Sequence, residues 1–212
     1  MDIIWYGHSC FRLTERNLAT VVTDPYDAGV IGYRPLRLKT DVVTISHDTP
    51  GHNYLAATPN YSYALTGPGE YEIGGVFIVG AAMHDAEAEN PIRNVIYVME
   101  FNGVTVAHLG DLNYIPSQSA VDALGNIDVA LVPVGGGEAL FANQAAEVIS
   151  LLEPSIVIPM HYQTPMTTLE LEPVDRFLKE MGVSAPVEAD SFRVTTSNLT
   201  EQTQVVVLSV KE

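Results

Sequence analysis

With 26 acidic residues against 10 basic ones and a formal net charge of −16 over 212 residues, the chain repels phosphate backbones and is a poor candidate for nucleic-acid processing. A hydrophobic content of 47% excludes disorder, and the length suits one domain, residues 1–212, with a full core and no apolar run of the roughly 18 residues that a membrane span requires. The single cysteine, Cys10, has no internal disulfide partner, and the first residues show no basic leader pattern, so residence in the cytoplasm is expected.

Residues 1–50 alternate strands and turns. Strands are expected at 3–6, 9–13 and 20–23, with His8 in the first turn and Asp24 closing the third strand. Asp24 suits either of two tasks: orienting a ligating histidine or capping the turn before Pro25. Residues 29–32 read as a loop. The β-branched run at 41–45 has the look of a strand covered on both faces. Pro50-Gly51 then breaks regular structure, leaving His47 and His52 on a strand-end loop.

Further sheet is expected over 54–103. A strand at 61–65 and a turn at 67–70 precede a hairpin over 71–82 around Gly74-Gly75, which leads into His84. Residues 85–93 form an exposed loop in which Arg93 is the sole cation, a candidate for a substrate carboxylate or phosphate. The strand at 94–101 turns at Asn102-Gly103 into a strand that ends at His108 and runs on to Asp111. Helices are expected at 117–124, with Ser117 as N-cap, at 142–152 and at 172–181. Strands at 129–134, 156–160, 192–194 and 204–210 complete the pattern, the first ending in Gly135-Gly136-Gly137 and the second delivering His161.

All six histidines lie at or beside the end of an apolar strand-like run. In an open sheet, neighbouring strand ends form the crevice where ligands bind. The pattern therefore reads as one polyhistidine site with Asp111 in it, although two loop histidines alone would be equally at home as solvated turn residues.

Several fragments carry a family resemblance: Trp5-Tyr6-Gly7-His8-Ser9-Cys10-Phe11, Thr23-Asp24-Pro25, Ser46-His47, Gly67-Pro68-Gly69-Glu70-Tyr71, His108-Leu109-Gly110-Asp111, Val132-Pro133-Val134-Gly135-Gly136-Gly137 and Pro159-Met160-His161-Tyr162. In their order and spacing the chain resembles the metallo-β-lactamase fold superfamily, close to small bacterial proteins similar to L-ascorbate-6-phosphate lactonase. The resemblance implies an α/β fold, a four-layer αββα sandwich with the site along one edge of the sheets. The superfamily motif His-x-His-x-Asp-His falls on residues 47–52, but its second histidine meets Thr49 and its aspartate meets Gly51. The metal ligands that carry over are His47, His84 and Asp111 at one position and His52, His161 and Asp111 at the other.

Three protein ligands plus water suit a catalytic zinc, and carboxylate with imidazole also suits manganese, iron or nickel. With two ligands lost, one ion or partial occupancy is expected rather than two ions. The implied activity is hydrolysis of a small ester, lactone or phosphate-bearing molecule, with hydroxide drawn from water at the metal and His8 or His108 assisting at the developing oxyanion. Asp48 is the candidate to manage protons in place of the aspartate missing at Gly51. The competing reading is a degenerate relative that binds a metal or metabolite without turnover, as a sensor or scaffold. The expected partner is a small molecule rather than nucleic acid or membrane, and a homo-oligomer is compatible with the sequence.

Overall fold

The computed structural model describes residues 1–83 and 93–211. His84, expected as a ligand, and residues 85–92 of the expected loop lie outside the described residues. The strands of the first half are β1 (Asp2–Trp5), β2 (Phe11–Thr14), β3 (Val21–Thr23), β4 (Val42–Thr44), β5 (Tyr63–Leu65), β6 (Gly69–Ile73) and β7 (Val76–Met83). Those of the second half are β8 (Asn94–Phe101), β9 (Val104–His108), β10 (Val129–Pro133), β11 (Ile156–Met160), β12 (Val187–Ala189), β13 (Phe192–Arg193) and β14 (Gln204–Leu208). The helices are α1 (Ala28–Ile31), α2 (Gln118–Asp122), α3 (Ala142–Leu152) and α4 (Val174–Glu180).

Two sheets result, of six strands in the order β13-β1-β2-β3-β4-β5 and of eight in the order β12-β14-β11-β10-β9-β8-β7-β6. Their facing sides share one apolar core. In β3, Val21 joins that core with Phe11 and Leu13 of β2, whereas the alternate residue Val22 joins a separate cluster with Cys10, Tyr26, Ile31 and Tyr33. This period of two assigns one face of the smaller sheet to the sandwich interior and the other to an outer cover. β8, β10 and β11 are buried along almost their whole length, as expected of strands covered on both faces. Each fully buried Leu, Ile or Phe among them contributes roughly 1.5–3 kcal/mol.

Outside the larger sheet, α3 packs on β10 and against α2 and α4. Its apolar stripe runs through Ala142, Ala145, Val148, Ile149 and Leu152, a spacing of three and four residues that puts all five on one face. The expected αββα sandwich is therefore what forms, with a thin outer layer on the six-stranded side. There the cover is the single-turn helix α1 and the chain around it. The sequence reads residues 29–32 as a loop because of Gly29 and Gly32, but Asp27 caps the turn by accepting from the Gly29 N–H, and Gly32 closes it at φ 87. The short edge strand β12, Val187-Glu188-Ala189, is too brief for its alternation to mark it and has no counterpart among the expected strands.

Parallel pairing places the site. β3, β4 and β5 run parallel in the smaller sheet, and β9, β10, β11 and β14 in the larger. The segments leaving the C-terminal ends of β3, β4, β9 and β11 carry Asp24, His47, Asp111 and His161 respectively. In the turn between β1 and β2, His8 accepts at its carbonyl from Trp5 Nε1 at 2.9 Å and from the His161 N–H at 3.2 Å. That second bond ties the two sheets together beside the cavity.

Candidate metal centre

His47 follows β4, and Pro50-Gly51 turns the chain so that His52 re-enters beside it, with ring centroids 4.0 Å apart. Asp24, in the left-handed region at φ 38, reaches across from β3. Its Oδ1 accepts from the Ser46 N–H at 2.8 Å, and its Oδ2 accepts from Ser46 Oγ at 2.6 Å and from His52 Nδ1 at 2.8 Å. A carboxylate can only accept, so His52 Nδ1 carries a proton and Nε2 points elsewhere. It points at Asp111 Oδ2, 3.1 Å away, and at His8 Nε2, 3.0 Å away.

Asp111 sits just beyond β9, held by Asn94, whose Oδ1 accepts from the Asp111 N–H at 3.1 Å while its Nδ2 donates to the Leu109 carbonyl at 2.8 Å. Its Oδ1 accepts from His161 Nδ1 at 2.7 Å, and its Oδ2 lies 3.6 Å from His47 Nε2. His8 completes the group, its ring centroid 4.7 Å from that of His52 and 4.3 Å from that of His161. All of these side chains are buried.

Charges in this enclosure are strongly coupled. Burial alone would raise the carboxyl of Asp111, but the imidazoles of His161 and His52 outweigh it and hold the group ionised, well below the usual carboxylate range. Burial works against protonation of His52 too, yet Asp111 and Asp24 push its imidazole up to about 10. His8 is driven the other way: burial, then the neighbouring His161 and His52, lower it far enough to keep it neutral. Burial followed by His52 likewise lowers His47.

Among the described residues, two sets of three donors converge closely enough to hold one cation each, His8 with His52 and His161, and His47 with His52 and Asp111, the ligand atoms of each set lying within 4.8 Å of one another. Neutral imidazoles and an ionised carboxylate are the donors that zinc, manganese or iron accept, and His52, whose imidazole Asp111 and Asp24 hold protonated, would release its Nε2 proton on binding a cation. The residues therefore fit a divalent metal. Beside them opens a cavity of about 290 Å³, lined by His8, Gly51, His52, Asp111 and His161 with Ile31 and Leu169 on its apolar side.

Of the residues singled out from sequence, His47, His52, His161, Asp111 and His8 meet in this cluster. His8 arrives as a donor beside the other imidazoles, where the sequence reading did not count it among the ligands. His108 is corrected: it is fully buried, its Nε2 donates to the Ser9 carbonyl at 2.8 Å, and its Nδ1 accepts from the Gly110 N–H at 3.2 Å. With both nitrogens committed to backbone it cannot reach a substrate, and it serves to hold the β1–β2 turn against β9. Asp48 is corrected as well. Its side chain is exposed, accepts from Asn53 Nδ2 and lines a second hollow with His47 and Arg93 rather than the cavity at Asp111.

Ser46, Asn94 and Thr49 were not foreseen as part of the site. Thr49 Oγ1 lies 3.0 Å from His47 Nε2. Asn94 gave no sequence signal beyond opening a strand, whereas Ser46 and Thr49 flank His47 directly. Gly135 is required by packing, since a Cβ there would sit 2.7 Å from Tyr162 Cα, and Gly137 lines the cavity.

A family model for the beta-lactamase superfamily domain matches residues 2–161. A UPF0173 metal-dependent hydrolase of Thermococcus kodakarensis is 39% identical over 193 residues, covering 77% of this chain and 85% of the relative. A related protein of Pyrococcus furiosus is 30% identical over 190 residues, covering 77% and 84%. Among solved structures, a Thermotoga maritima protein proposed as a Zn-dependent hydrolase of the metallo-beta-lactamase superfamily superposes with a TM-score of 0.79 at 33% identity, over 98% of this chain and 97% of that one. A metallo hydrolase of Ignicoccus hospitalis shares the fold, with a TM-score of 0.67 at 20% identity over 100% and 96% of the two chains.

Proposed function

Since the chain belongs to the beta-lactamase superfamily, we propose that it is a metal-dependent hydrolase of small uncharged esters or lactones. The observation that carries this reading is the convergence of four buried imidazoles on the ionised carboxylate of Asp111, at the wall of an open cavity. A divalent metal bound there supplies Lewis-acid polarisation and lowers the pKa of water towards about 7.

The chain's own groups do the rest. Asp24 and Asp111 fix the Nδ1–H tautomers of His52 and His161, which aims the opposite nitrogens of both rings. Burial keeps His8 neutral and able to act as a donor atom. Val30, Ile31, Leu169 and Leu171 give the cavity an apolar side for the body of a substrate. Apart from the protonated imidazole of His52, its charged lining, among the described residues, is acidic: Asp111, Glu138 and Glu170, with no Lys or Arg.

That balance favours an uncharged ester or lactone over a phosphate-bearing substrate. An anionic arm would have to extend to the second hollow, where Arg93 lies on the far flank of His47. A cyclic ester that carries no phosphate is therefore the first compound to test.

The experiment is to reload purified protein with Zn, Mn, Fe or Ni and screen ester, lactone and phosphoester hydrolysis, with His52→Ala as control. Turnover of an ester or lactone that disappears with chelator and in His52→Ala supports the proposal. Metal uptake without turnover of any of the three classes would favour the sensor or scaffold reading, which the Thr49 hydroxyl at His47 already supports.

A further inference from the structure

We propose that this cluster holds a single divalent cation on three imidazoles, His8, His52 and His161, with His8 occupying the space that a side chain at position 51 would fill. The inference rests on the metal-dependent reading above and assigns its ligands.

His52 belongs to both sets of donors, but its Nδ1 is committed to Asp24. Once its proton has left, the remaining nitrogen offers one lone pair and can serve one ion. The two sets cannot both be complete.

Hydrogen bonding decides between them. A metal-ligating histidine ordinarily donates its other ring N–H to a carboxylate. His52 does so to Asp24 at 2.8 Å and His161 to Asp111 at 2.7 Å, so both rings are oriented to bind through Nε2. The alternative set is preoccupied. His47 has Ser46 Oγ 3.0 Å from Nδ1 and Thr49 Oγ1 3.0 Å from Nε2, and both Asp111 oxygens already face imidazoles.

His8 is the third member. Its Nδ1 is buried without a hydrogen-bond partner among the described residues, and its Nε2 meets only His52 Nε2, at 3.0 Å. Two imidazole nitrogens at that separation need a proton or a cation between them, because their lone pairs repel. The backbone holds His8 there, at φ 51, through the two hydrogen bonds to its carbonyl. The room comes from Gly51. A Cβ at that position would lie 3.0 Å from His8 Nε2 and 3.7 Å from Ile31 Cγ2, so any side chain there would press on the ring.

The test is zinc and cobalt titration of the full chain, read by elemental analysis and competition with a chelating dye, together with X-ray absorption of the zinc-loaded wild type to count imidazoles. The expected results are about one equivalent per chain and three histidine ligands, with affinity falling at least about 100-fold in His8→Ala and about tenfold in Gly51→Ala while His47→Ala stays within about threefold. Circular dichroism checks that the variants fold, and the absorption spectrum of the wild type needs no variant. If His8→Ala binds zinc like the wild type while His47→Ala loses it, the ligand assignment is overturned and the metal-dependent reading stands. A wild type that takes up no cation overturns both.

Discussion

His52 Nδ1 donates to Asp24 Oδ2 at 2.8 Å, a bond between residues 28 positions apart in which neither side chain meets solvent. The same Asp24 oxygen also accepts from Ser46 Oγ at 2.6 Å, so one carboxylate fixes His52 directly and braces His47 through the serine. Carboxylates that orient ligating imidazoles typically contribute 10–100-fold in metal affinity. Asp24→Asn is therefore expected to weaken zinc binding by about 10–100-fold in a competition titration. An affinity unchanged from wild type would show that Asp24 serves only the turn before Pro25.

His108 offers the contrasting case of a histidine whose work is structural. His108→Ala removes the hydrogen bonds to Ser9 and Gly110 and leaves a cavity, at an expected cost of roughly 2–4 kcal/mol. Thermal unfolding should show the loss, while the zinc content of the folded variant stays at the wild-type level. A variant that is stable but empty of metal would return His108 to the site.

Gly110 sits at φ 59 between β9 and Asp111, and a Cβ there would fall 2.5 Å from Ser46 Cβ and against Asn94 Oδ1. Neither neighbour can give way, because both are held in the hydrogen-bond network beneath the metal site. Gly110→Ala is expected to cost roughly 3 kcal/mol and to lower the melting temperature by about 10 °C. A change of less than about 2 °C would mean that the packing there is looser than described.

At the far end of β1, the buried Met1 ammonium lies 2.6 Å from Glu15 Oε2, and the Arg16 N–H donates to Glu15 Oε1 at 2.7 Å. The hydrogen bond from the ammonium, then that from Arg16, lower the Glu15 carboxyl below its usual value. Because the folded value is depressed, the pair stabilises the fold above the unfolded value of about 4.3 and loses that contribution as the pH falls through the folded value. Glu15→Gln should lower stability at pH 7 by roughly 1 kcal/mol or less, and the difference should close on acidification below about pH 4. A difference that persists in acid would assign the effect to packing.

Much of the fold can be read along the chain, for a physical reason. β8, α3 and β11 begin and end where the apolar runs at 94–101, 142–152 and 156–160 do, since a strand buried on both faces or a one-sided helix writes its burial into its own sequence. The one-turn helix α1 is different, because an aspartate cap and a left-handed glycine make it without an apolar period. The histidines likewise announce a site by tracking strand ends, but which nitrogen faces which neighbour depends on residues far away in sequence. His8 becomes a donor only because Gly51, 43 positions later, leaves its ring unopposed. Asp48, likewise, is exposed and accepts from Asn53 Nδ2, five positions on.

If His8, His52 and His161, backed by Asp111 and Asp24, form one cation site, the zinc content of reloaded, desalted protein reports it without any assay of turnover. The expected content is about one equivalent in the wild type and under about a tenth in His52→Ala. A wild type that itself retains less than about a tenth of an equivalent, or a His52→Ala variant that retains the full amount, would contradict it.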